Sequence, residues 1–397
     1  MSRPRLVTVA ERRARLARRH LLLPGTRTDD VAAIAEQMVA LHSSDPVTVY
    51  LSATARMKNP AIDAVEKALY VDRSVVRHHA MRRTLWVATP DAARAMHAAA
   101  TRKLVAPERR RTLKLLADSG VADPAAWLAD AERQVLAAFH EHGPMTTRAV
   151  GARVPALRQP LVMSPGKTYS ATVSAHTRVL LGLGFAGALV RTRPTGSWVN
   201  GQYTWTAADD WLPGGLESSR DPADAARELA DRWLRGFGPG TTEDLQWWAG
   251  WTAATTRRAL ADAGAVAVRL PEGEGWFAAG DEEPADNDTR DEPWVTLLPS
   301  LDPTTMGWKQ REWYLPAECA DAFDANGNAG PTIWVDGRVV GAWAQAPDGT
   351  IRTHYFLDVP APRRCEVDAQ ADRLRETLGE TRFTVRFPGR IQRVLLG

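Results

Sequence analysis

A five-residue pattern that occurs twice constrains the fold of this chain more than any other feature. The pattern is Gly-Pro-x-Thr-Thr, at residues 143–147 and again at 238–242. Its threonines can cap a helix, and each copy follows one helical pattern and precedes another helix and two β-rich stretches. Each copy therefore predicts a unit of helices closed by a β-hairpin. The helix and the two β-rich stretches fall at 168–183, 188–193 and 197–206 after the first copy, and at 252–263, 265–270 and 276–278 after the second.

The N-terminal part of the chain predicts the same outline a third time. Helical patterns cover 5–23, 31–41 and 60–70, another helix follows Pro46, and the stretch 75–87 ends in alternating β-forming residues. Helices followed by a two-stranded ribbon are typical of winged helix-turn-helix domains. Three units of this kind in one chain predict a tandem array.

The C-terminal part of the chain has a different character. The acidic segment 281–293 precedes β-rich stretches at 294–298 and 332–335, a hairpin over 338–357, a helix at 367–378 and a closing strand at 381–387. The predicted fold class is therefore α+β, with three tandem winged helix-turn-helix units and a C-terminal β-rich domain. The predicted domains are the three units at 1–112, 113–212 and 213–285, followed by the β-domain at 286–397.

The stretch His42-Ser43-Ser44-Asp45-Pro46 is the best candidate for a chemical site. Pro46 disfavours the α conformation at Asp45, so the preceding helix should break there, and Asp45 can cap the next helix. In the extended residues between the two helices, side chains two apart point the same way, so His42 and Ser44 should converge. A titratable base and a hydroxyl can position a water molecule. The alternative is a capping serine beside a surface histidine.

The charge pattern is compatible with an anionic partner. The pI is about 9.0, the net charge is +3, and seven arginines fall within the first 20 residues. Arginine suits bidentate phosphate contacts and makes binding sensitive to salt. However, only 6 of the 50 basic residues are lysine, a bias that can reflect nucleotide composition, and charge runs are usually solvated helix faces. Charge alone leaves both readings open.

Other features exclude several classes of protein. Cys319 and Cys365 are the only cysteines of the sequence, which implies neither a disulfide framework nor a zinc site and fits a reducing cytoplasm. No apolar run approaches the ~18 residues of a membrane span, and the N-terminus lacks the apolar core of a signal peptide. No nucleotide-binding or zinc-protease motif is present.

Four stretches, in order and spread over almost the whole chain, resemble a known family: the tandem winged-helix DNA glycosylases typified by AlkZ and YcaQ. The resemblance implies three winged helices and a C-terminal β-domain that form a C-shaped clamp around duplex DNA. The stretches are Met-Val-Ala-Leu-His-Ser-Ser-Asp-Pro at 38–46 with Tyr-Leu-Ser at 50–52, Met-Arg-Arg-Thr-Leu at 81–85, Gly-Pro-Gly-Thr-Thr at 238–242 with Trp-Trp-Ala-Gly-Trp at 247–251, and Leu-Leu-Pro-Ser-Leu-Asp-Pro-Thr-Thr-Met-Gly-Trp-Lys at 297–309.

The resemblance also implies where the catalytic residues lie. Members of the family place Gln-x-Gln or Gln-x-Asp where this chain has His42-Ser43-Ser44, and those side chains are thought to hold the water that attacks the sugar carbon. By position, His42 replaces the first glutamine and Ser44 the second glutamine or aspartate. His42 would act as a hydrogen-bonding group or as a general base near neutral pH, and Ser44 would exchange hydrogen bonds with the water. Asp45 would cap the helix or support the site.

Further residues are predicted to contact DNA, and others to fill the core. For Arg82 and Arg83 the alternative to a DNA contact is simple exposure to solvent, and for Asp302 it is formation of a turn. The predicted DNA-binding residues are Arg82 and Arg83 on the first hairpin, His176 and Arg178 on the third helix of the second unit, and Asp302 and Lys309 in the loop that the resemblance places near DNA. The predicted core residues are Trp86, Trp247, Trp248 and Trp251.

These observations lead to one principal functional hypothesis. It is a monofunctional DNA glycosylase that hydrolyses the N-glycosidic bond of purines alkylated at N7 or N3, extending to bulky genotoxin adducts and interstrand crosslinks, in base excision repair or self-resistance. The alternatives are a non-catalytic DNA-binding protein, such as a damage sensor or regulator, and a protein that sequesters the free genotoxin. We expect a monomeric, cytoplasmic and nucleoid-associated protein whose partner is double-stranded DNA carrying alkyl lesions, with no metal, no other cofactor and no membrane.

Overall fold

The computed structural model describes residues 4–163, 171–216, 219–283 and 293–396. It contains both helices and strands, as the sequence predicts. The helices are α1 Val9–Arg19, α2 Val31–Gln37, α3 Pro46–Thr54, α4 Ile62–Tyr70, α5 Pro90–Met96, α6 Val105–Asp118, α7 Pro124–His142, α8 Thr147–Arg153, α9 His176–Phe185, α10 Ala208–Trp211, α11 Pro222–Phe237, α12 Thr242–Ala249, α13 Ala253–Asp262, α14 Pro303–Met306, α15 Ala361–Leu378 and α16 Gln392–Leu396. The strands are β1 Leu41–His42, β2 Val76–His79, β3 Leu85–Ala88, β4 Pro160–Met163, β5 Ala171–Ser174, β6 Leu189–Pro194, β7 Tyr203–Ala207, β8 Val266–Leu270, β9 Gly273–Phe277, β10 Val295–Leu298, β11 Thr332–Val335, β12 Arg338–Gln345 and β13 Ile351–Tyr355.

The repeated motif starts a helix at both of its copies. Thr146 caps α8 by accepting a hydrogen bond from the backbone N–H of Ala149, and Thr241 caps α12 by accepting one from Asp244. At α12 the carboxylate of Asp244 accepts in return from the backbone N–H of Thr241, which completes a capping box. These contacts involve only residues three apart, so the local sequence is enough to determine where both helices begin.

Three segments of the chain share one order of elements, and we call them the first, second and third units. The first unit runs from α2 to β3, the second from α7 to β7, and the third from α11 to β9. In each unit, a residue shortly before the second helix bridges to a tryptophan on the last strand of the hairpin. The bridged pairs are His42 with Trp86, Met145 with Trp205, and Gly240 with Trp276. The repeat in the sequence therefore corresponds to a repeated backbone contact.

The hairpins of the first two units join in one sheet. Its five strands lie in the order β1-β3-β2-β6-β7, and all neighbours are antiparallel. The two units meet where Arg77 on β2 pairs with Arg191 on β6. Because β2 is central in this sheet, side chains on β2 lie close to elements of both units.

The third unit packs on the helices that flank the first unit, and Trp248 of α12 contacts Trp86 of β3 with ring centroids 6.1 Å apart. Helix α11 contacts α1, α5, α13 and the π-helical turn His97–Thr101 that follows α5. Of the four tryptophans predicted in the core, Trp86, Trp248 and Trp251 are buried. Trp247 is not fully buried as predicted: it is half-buried and packs against the edge of the core. A helical tryptophan next to a buried one cannot share its face, since neighbours on a helix point about 100° apart.

Several of the N-terminal arginines are buried or paired within the protein. Residues before α1 are extended, and Leu6 bridges to Arg269 on β8. The arginines of α1 then lie against the third unit, and Arg12 and Arg15 are buried. Carboxylates therefore neutralise much of the charge of this helix within the protein. The ion pairs join Arg12 to Glu272, Arg15 to Glu11 and Asp281, and Arg19 to Asp281.

The C-terminal part is β-rich, as predicted, but it is not closed by a strand. Strands β10 to β13 form a four-stranded antiparallel sheet in chain order, and α15 packs on β10 and β13. The predicted closing strand at 381–387 is wrong, because these residues form an extended segment without strand pairing. Most of the predicted acidic boundary, residues 284–292, lies outside the described residues.

The second unit differs from its prediction between its second and third helices. A short hairpin of β4 and β5 occupies this position, and α9 begins only at His176. Residues 168–170, where the helix was predicted to start, lie outside the described part of the chain. Across the described residues, no helix combines the length and the apolar character that crossing a membrane requires.

Candidate active site

The loop between β1 and α3 contains two residues that the other units lack. In the second and third units, the bridging residue is followed immediately by the threonine that caps the next helix. In the first unit, Ser43 and Ser44 stand between the bridging residue His42 and the cap Asp45. The additional residues bring polar side chains to a position where the other units turn directly into a helix. We call residues 42–45 the site loop.

His42 is held as a neutral imidazole. It is 6% exposed, and its ring packs against Trp86 with ring centroids 4.7 Å apart. Burial, and then the positive charge of Arg82, lower the pKa of His42 to about 3. The backbone N–H of Ser44 donates to Nδ1 of His42 at 3.3 Å. Because Nδ1 accepts this hydrogen bond, the proton of the neutral ring is on Nε2, which has no protein partner among the described residues.

This environment bears on the two roles that the sequence left open for His42. A general base is most effective when its pKa lies near the working pH, and an imidazole with a pKa of about 3 is a weak base at neutral pH. The Nε2–H group remains a hydrogen-bond donor over the whole physiological range. The geometry therefore favours the hydrogen-bonding role over the role of a general base.

The two serines of the site loop have different environments. Ser43 is buried, and its hydroxyl accepts a hydrogen bond from Nε of Arg77 at 2.9 Å. Its backbone N–H donates to the carbonyl of Leu85 at 2.8 Å. Ser44 is half-buried, and its hydroxyl has no hydrogen-bond partner in the described part of the chain. Ser43 therefore fixes the loop to the sheet, whereas the hydroxyl of Ser44 is left available.

Asp45 caps the next helix and also binds the C-terminal segment. One carboxylate oxygen accepts from the backbone N–H of Val47 at 3.4 Å, which confirms the predicted cap of α3. The other accepts from the backbone N–H of Arg386 at 2.8 Å. Asp45 is fully buried, and burial raises the pKa of its carboxyl. The guanidinium of Arg386 also donates to the carbonyl of Ser44 at 3.4 Å.

Arg82 and Arg83 lie next to each other on the β2–β3 turn but have different partners. The guanidinium of Arg82 stacks on the ring of Trp247, with Cζ 4.3 Å from the ring centroid. Arg83 is exposed and donates from Nε to Glu108 at 2.7 Å. Both residues have positive φ angles, 55° and 60°, which residues other than glycine rarely adopt.

The two residues predicted on α9 also have different environments. Arg178 is largely buried and forms an ion pair with Glu108 at 2.9 Å, so Arg83 and Arg178 share this carboxylate. One carboxylate thus compensates part of the charge of both arginines, which favours a structural role for both. His176 is half-buried, burial lowers its pKa, and it lines an open groove.

The prediction that Asp302 contacts DNA is wrong. Asp302 is 0% exposed and forms a bidentate ion pair with Arg56, at 2.8 and 2.9 Å. It also accepts a hydrogen bond from the hydroxyl of Ser52 at 2.6 Å. The neighbouring prediction Lys309 is half exposed, and its ammonium group lies 2.5 Å from a carboxylate oxygen of Glu243.

The groove beside His176 is a basic surface that the sequence did not reveal. It has a volume of about 1090 Å³ and lies between α8, α9 and the β6–β7 hairpin of the second unit. Arg148, Arg158 and Arg191 line it, and no carboxylate of the described residues does so. The groove reaches the site loop through Arg386, because a Cβ at Gly201 on its rim would lie 1.8 Å from the Arg386 guanidinium.

Comparison with known proteins places this arrangement in a family. A sequence model of the family described as DNA glycosylase AlkZ-like matches residues 35–377. The chain belongs to the AlkZ-like DNA glycosylases. A comparison with curated protein sequences gives no significant match.

The fold of the chain is similar to a solved structure of the same family. The DNA glycosylase AlkZ of Streptomyces sahachiroi matches with a TM-score of 0.71 at 18% sequence identity, covering 96% of this chain and 99% of that chain. Membership of the AlkZ-like family implies glycosylase activity on DNA and a role in DNA repair. The residues that the family model matches include the site loop and Arg82, whereas Arg386 lies beyond them.

Proposed function

We propose that this AlkZ-like protein is a monofunctional DNA glycosylase that hydrolyses the N-glycosidic bond of purines alkylated at N7 or N3, with His42 and Ser44 holding the attacking water. The observation that carries the proposal is the pairing of two groups on one loop. His42 Nε2–H and the Ser44 hydroxyl lack protein partners among the described residues. The loop that carries them is fixed by Ser43 and Asp45.

The reaction needs little from the protein beyond a positioned water molecule. A purine alkylated at N7 or N3 carries a positive charge, so it is a good leaving group without a general acid. The transition state resembles an oxocarbenium ion, which negative charge stabilises and positive charge destabilises. A neutral His42 can hold the water without adding a positive charge next to the sugar, and the hydroxyl of Ser44 can accept a hydrogen bond from the same water.

We propose that the three units are winged helices and that they surround duplex DNA as a C-shaped clamp with the C-terminal domain. The absence of carboxylates from the described lining of the groove supports a phosphate backbone as the ligand. The proposed contacts retain Arg82, His176 and Lys309. They add four arginines and omit Arg83, Arg178 and Asp302, which are paired within the protein. The four added residues are Arg148, Arg158, Arg191 and Arg386.

The groove is open, which supports activity on bulky adducts and interstrand crosslinks. A crosslinked base cannot leave the duplex freely for an enclosed pocket. A site loop that presents its water at an open basic surface does not require the base to be fully extruded. Such an activity would serve either base excision repair or self-resistance to a genotoxin.

The test is single-turnover release of N7-methylguanine from an alkylated duplex by wild type, His42→Ala and Ser44→Ala. We expect His42→Ala to lose roughly 100-fold or more in rate while its duplex affinity stays near that of wild type. His140→Ala is the matched control, because His140 is an exposed histidine on α7. Equal rates for wild type and both site variants would remove the site loop from the mechanism.

The competing proposal is a DNA-binding protein without catalysis, such as a damage sensor or regulator. It is favoured by the replacement of both family glutamine positions, together with the weak basicity of His42. Under this alternative, wild type binds the duplex but releases no base from N7-methylguanine or from bulkier N7 adducts. Release of any of these bases by wild type excludes it.

A further inference from the structure

We propose that Arg82 and Arg311, both stacked on Trp247, form a binding site for one backbone phosphate of DNA directly beside the site loop. This inference rests on the proposed function, since it identifies where the substrate's backbone is held. It gives a role to Trp247, the tryptophan that was expected in the core and is half-buried instead.

Three separate parts of the chain meet at this site. Arg82 comes from the β2–β3 turn of the first unit, Trp247 from α12 of the third unit, and Arg311 from the segment that follows α14. The guanidinium carbons lie 4.3 and 5.3 Å from the centroid of the same indole ring. All three residues are only partly buried, so part of each side chain is accessible from solvent.

The charge of this site is not neutralised by the described residues. The guanidinium of Arg311 donates to the carbonyls of Trp308 and Gly327, at 3.0 and 3.1 Å, and to Sδ of Met306 at 3.7 Å, and all three acceptors are neutral. Nε of Arg82 is buried and has no acceptor. Burial, and then the charge of Arg311, lower the pKa of Arg82 to about 10. Two like charges held together in this way are unfavourable until an anion binds between them or beside them.

Other arginines of the same chain show that this is not the general pattern. Arg56 is fully buried and is matched by Asp302, and Arg83, the neighbour of Arg82, is matched by Glu108. The fold therefore places a carboxylate next to Arg56 and Arg83, whereas the described residues provide none for Arg82 and Arg311. Such a pair suits a ligand that supplies the negative charge.

The backbone around the site is also shaped to hold Arg82 in place. Arg82 and Arg83 both adopt positive φ angles, a strained conformation for residues other than glycine that is often found at functional sites. Opposite Arg82, α12 ends at Gly250 with a φ of 64°, and a Cβ there would lie 3.1 Å from Cγ of Arg82. Glycine thus allows both the left-handed turn and the close approach of the arginine stem.

The chemistry of the site and its location favour a phosphodiester as the ligand. Guanidinium groups match phosphate oxygens with two parallel donors. Arg82 lies close enough to His42 for its charge to lower the pKa of the imidazole. A phosphate bound here would lie next to the sugar whose glycosidic bond is cleaved. It would neutralise the two arginines and place negative charge near the oxocarbenium ion.

The experiment measures the affinity for an undamaged 20-base-pair duplex as a function of salt, for wild type, Arg82→Ala, Arg311→Ala and Arg83→Ala. Each lost phosphate contact should reduce the slope of log K against log salt by about one. We therefore expect a reduction of about one for Arg82→Ala and for Arg311→Ala. Arg83→Ala is the matched control, because it removes the same charge from the same turn, but that charge is already paired with Glu108.

Additional measurements separate a phosphate site from a purely structural stack. Arg82→Lys keeps the charge but loses the bidentate geometry, so it should retain the wild-type slope and bind more weakly. Thermal unfolding of every variant shows whether the fold is intact. If Arg82→Ala and Arg311→Ala keep the wild-type slope, and only their melting temperatures fall, the site is a structural stack and the proposal is overturned.

The same variants distinguish failure of this inference from failure of the proposed function. Reduced salt slopes support the phosphate site even if wild type releases no alkylated base. Base release by wild type with unchanged slopes in both alanine variants supports the glycosylase but rejects the phosphate site.

Discussion

Nε of Arg77 donates a hydrogen bond to the hydroxyl of Ser43 at 2.9 Å, and both residues are buried. Arg77 lies on β2, the central strand shared by the first two units, and its guanidinium also donates to the hydroxyl of Tyr70 at 2.7 Å. The contact therefore attaches the site loop to the most central strand of the sheet. Ser43 thereby positions its two neighbours in the sequence, His42 and Ser44, although it is not one of the two residues proposed to hold the water.

We expect Ser43→Ala to slow base release more than it weakens duplex binding, because it frees the loop without removing a reactive group. It should also lower the free energy of unfolding by about 1–3 kcal/mol, since a buried guanidinium donor is left unpaired. A double-mutant cycle of Ser43→Ala and Arg77→Met measures the coupling. Strictly additive effects on both stability and rate would show that this hydrogen bond does not support the loop.

We expect the rate of base release to show no inflection near pH 6.5 that arises from His42. With a pKa of about 3, this histidine stays neutral from pH 5 upward. A general base with the ordinary histidine pKa would instead give a rate that rises through pH 6.5. The measurement is the single-turnover rate between pH 5 and pH 9. A rise centred near 6.5 that disappears in His42→Gln would restore the general-base role.

We expect stability to decrease as the pH falls from 6.5 towards 3. The buried histidines His20, His42 and His78 each have a pKa of about 3, lowered from 6.5 mainly by burial. In this window the unfolded chain binds protons that the folded chain does not, so each histidine lowers the free energy of unfolding by about 1.4 kcal/mol per pH unit. Urea unfolding between pH 4 and pH 7 tests this. The slope should be shallower in His42→Gln than in wild type.

We expect Asp45→Asn to be less destabilising than Asp45→Ala. Asparagine keeps one acceptor oxygen, which can cap α3 through Val47, but its NH2 group cannot accept from the backbone N–H of Arg386. The amide also avoids burying a carboxylate whose pKa burial already raises. Alanine removes both acceptors and should cost about 1–3 kcal/mol. Urea unfolding measures both variants. Equal losses for Asn and Ala would mean that the acceptor oxygen that asparagine retains does not contribute to stability.

We expect Asp302→Ala to destabilise the fold by about 3–5 kcal/mol, because it leaves the guanidinium of Arg56 buried without its counterion. The folded fraction should bind duplex as wild type does. Lys309→Ala is the matched comparison from the same loop region, because its pair with Glu243 is exposed and contributes below about 1 kcal/mol. Weaker duplex binding by correctly folded Asp302→Ala would return this residue to the DNA interface.

The sequence by itself determined the local features of this protein. Threonine at the repeated motif, Asp45 before Pro46 and the glycine turns of the hairpins act through hydrogen bonds and backbone preferences between residues a few positions apart. These signals were enough to predict the repeated units, the cap of α3 and the two side chains that flank Ser43. They were not enough at 381–387, where β-forming residues have no neighbouring strand to pair with.

Only the tertiary structure decided which charges are available to a ligand. Arg82 and Arg83 are identical in type and adjacent in sequence, yet one faces Trp247 and Arg311 and the other faces Glu108. Arg12 and Arg19 of α1 form ion pairs with Glu272 and Asp281, and Asp45 is bound by the C-terminal segment. The physical reason is that a charge is compensated by whatever the fold brings within a few ångströms, and those partners lie far away along the chain.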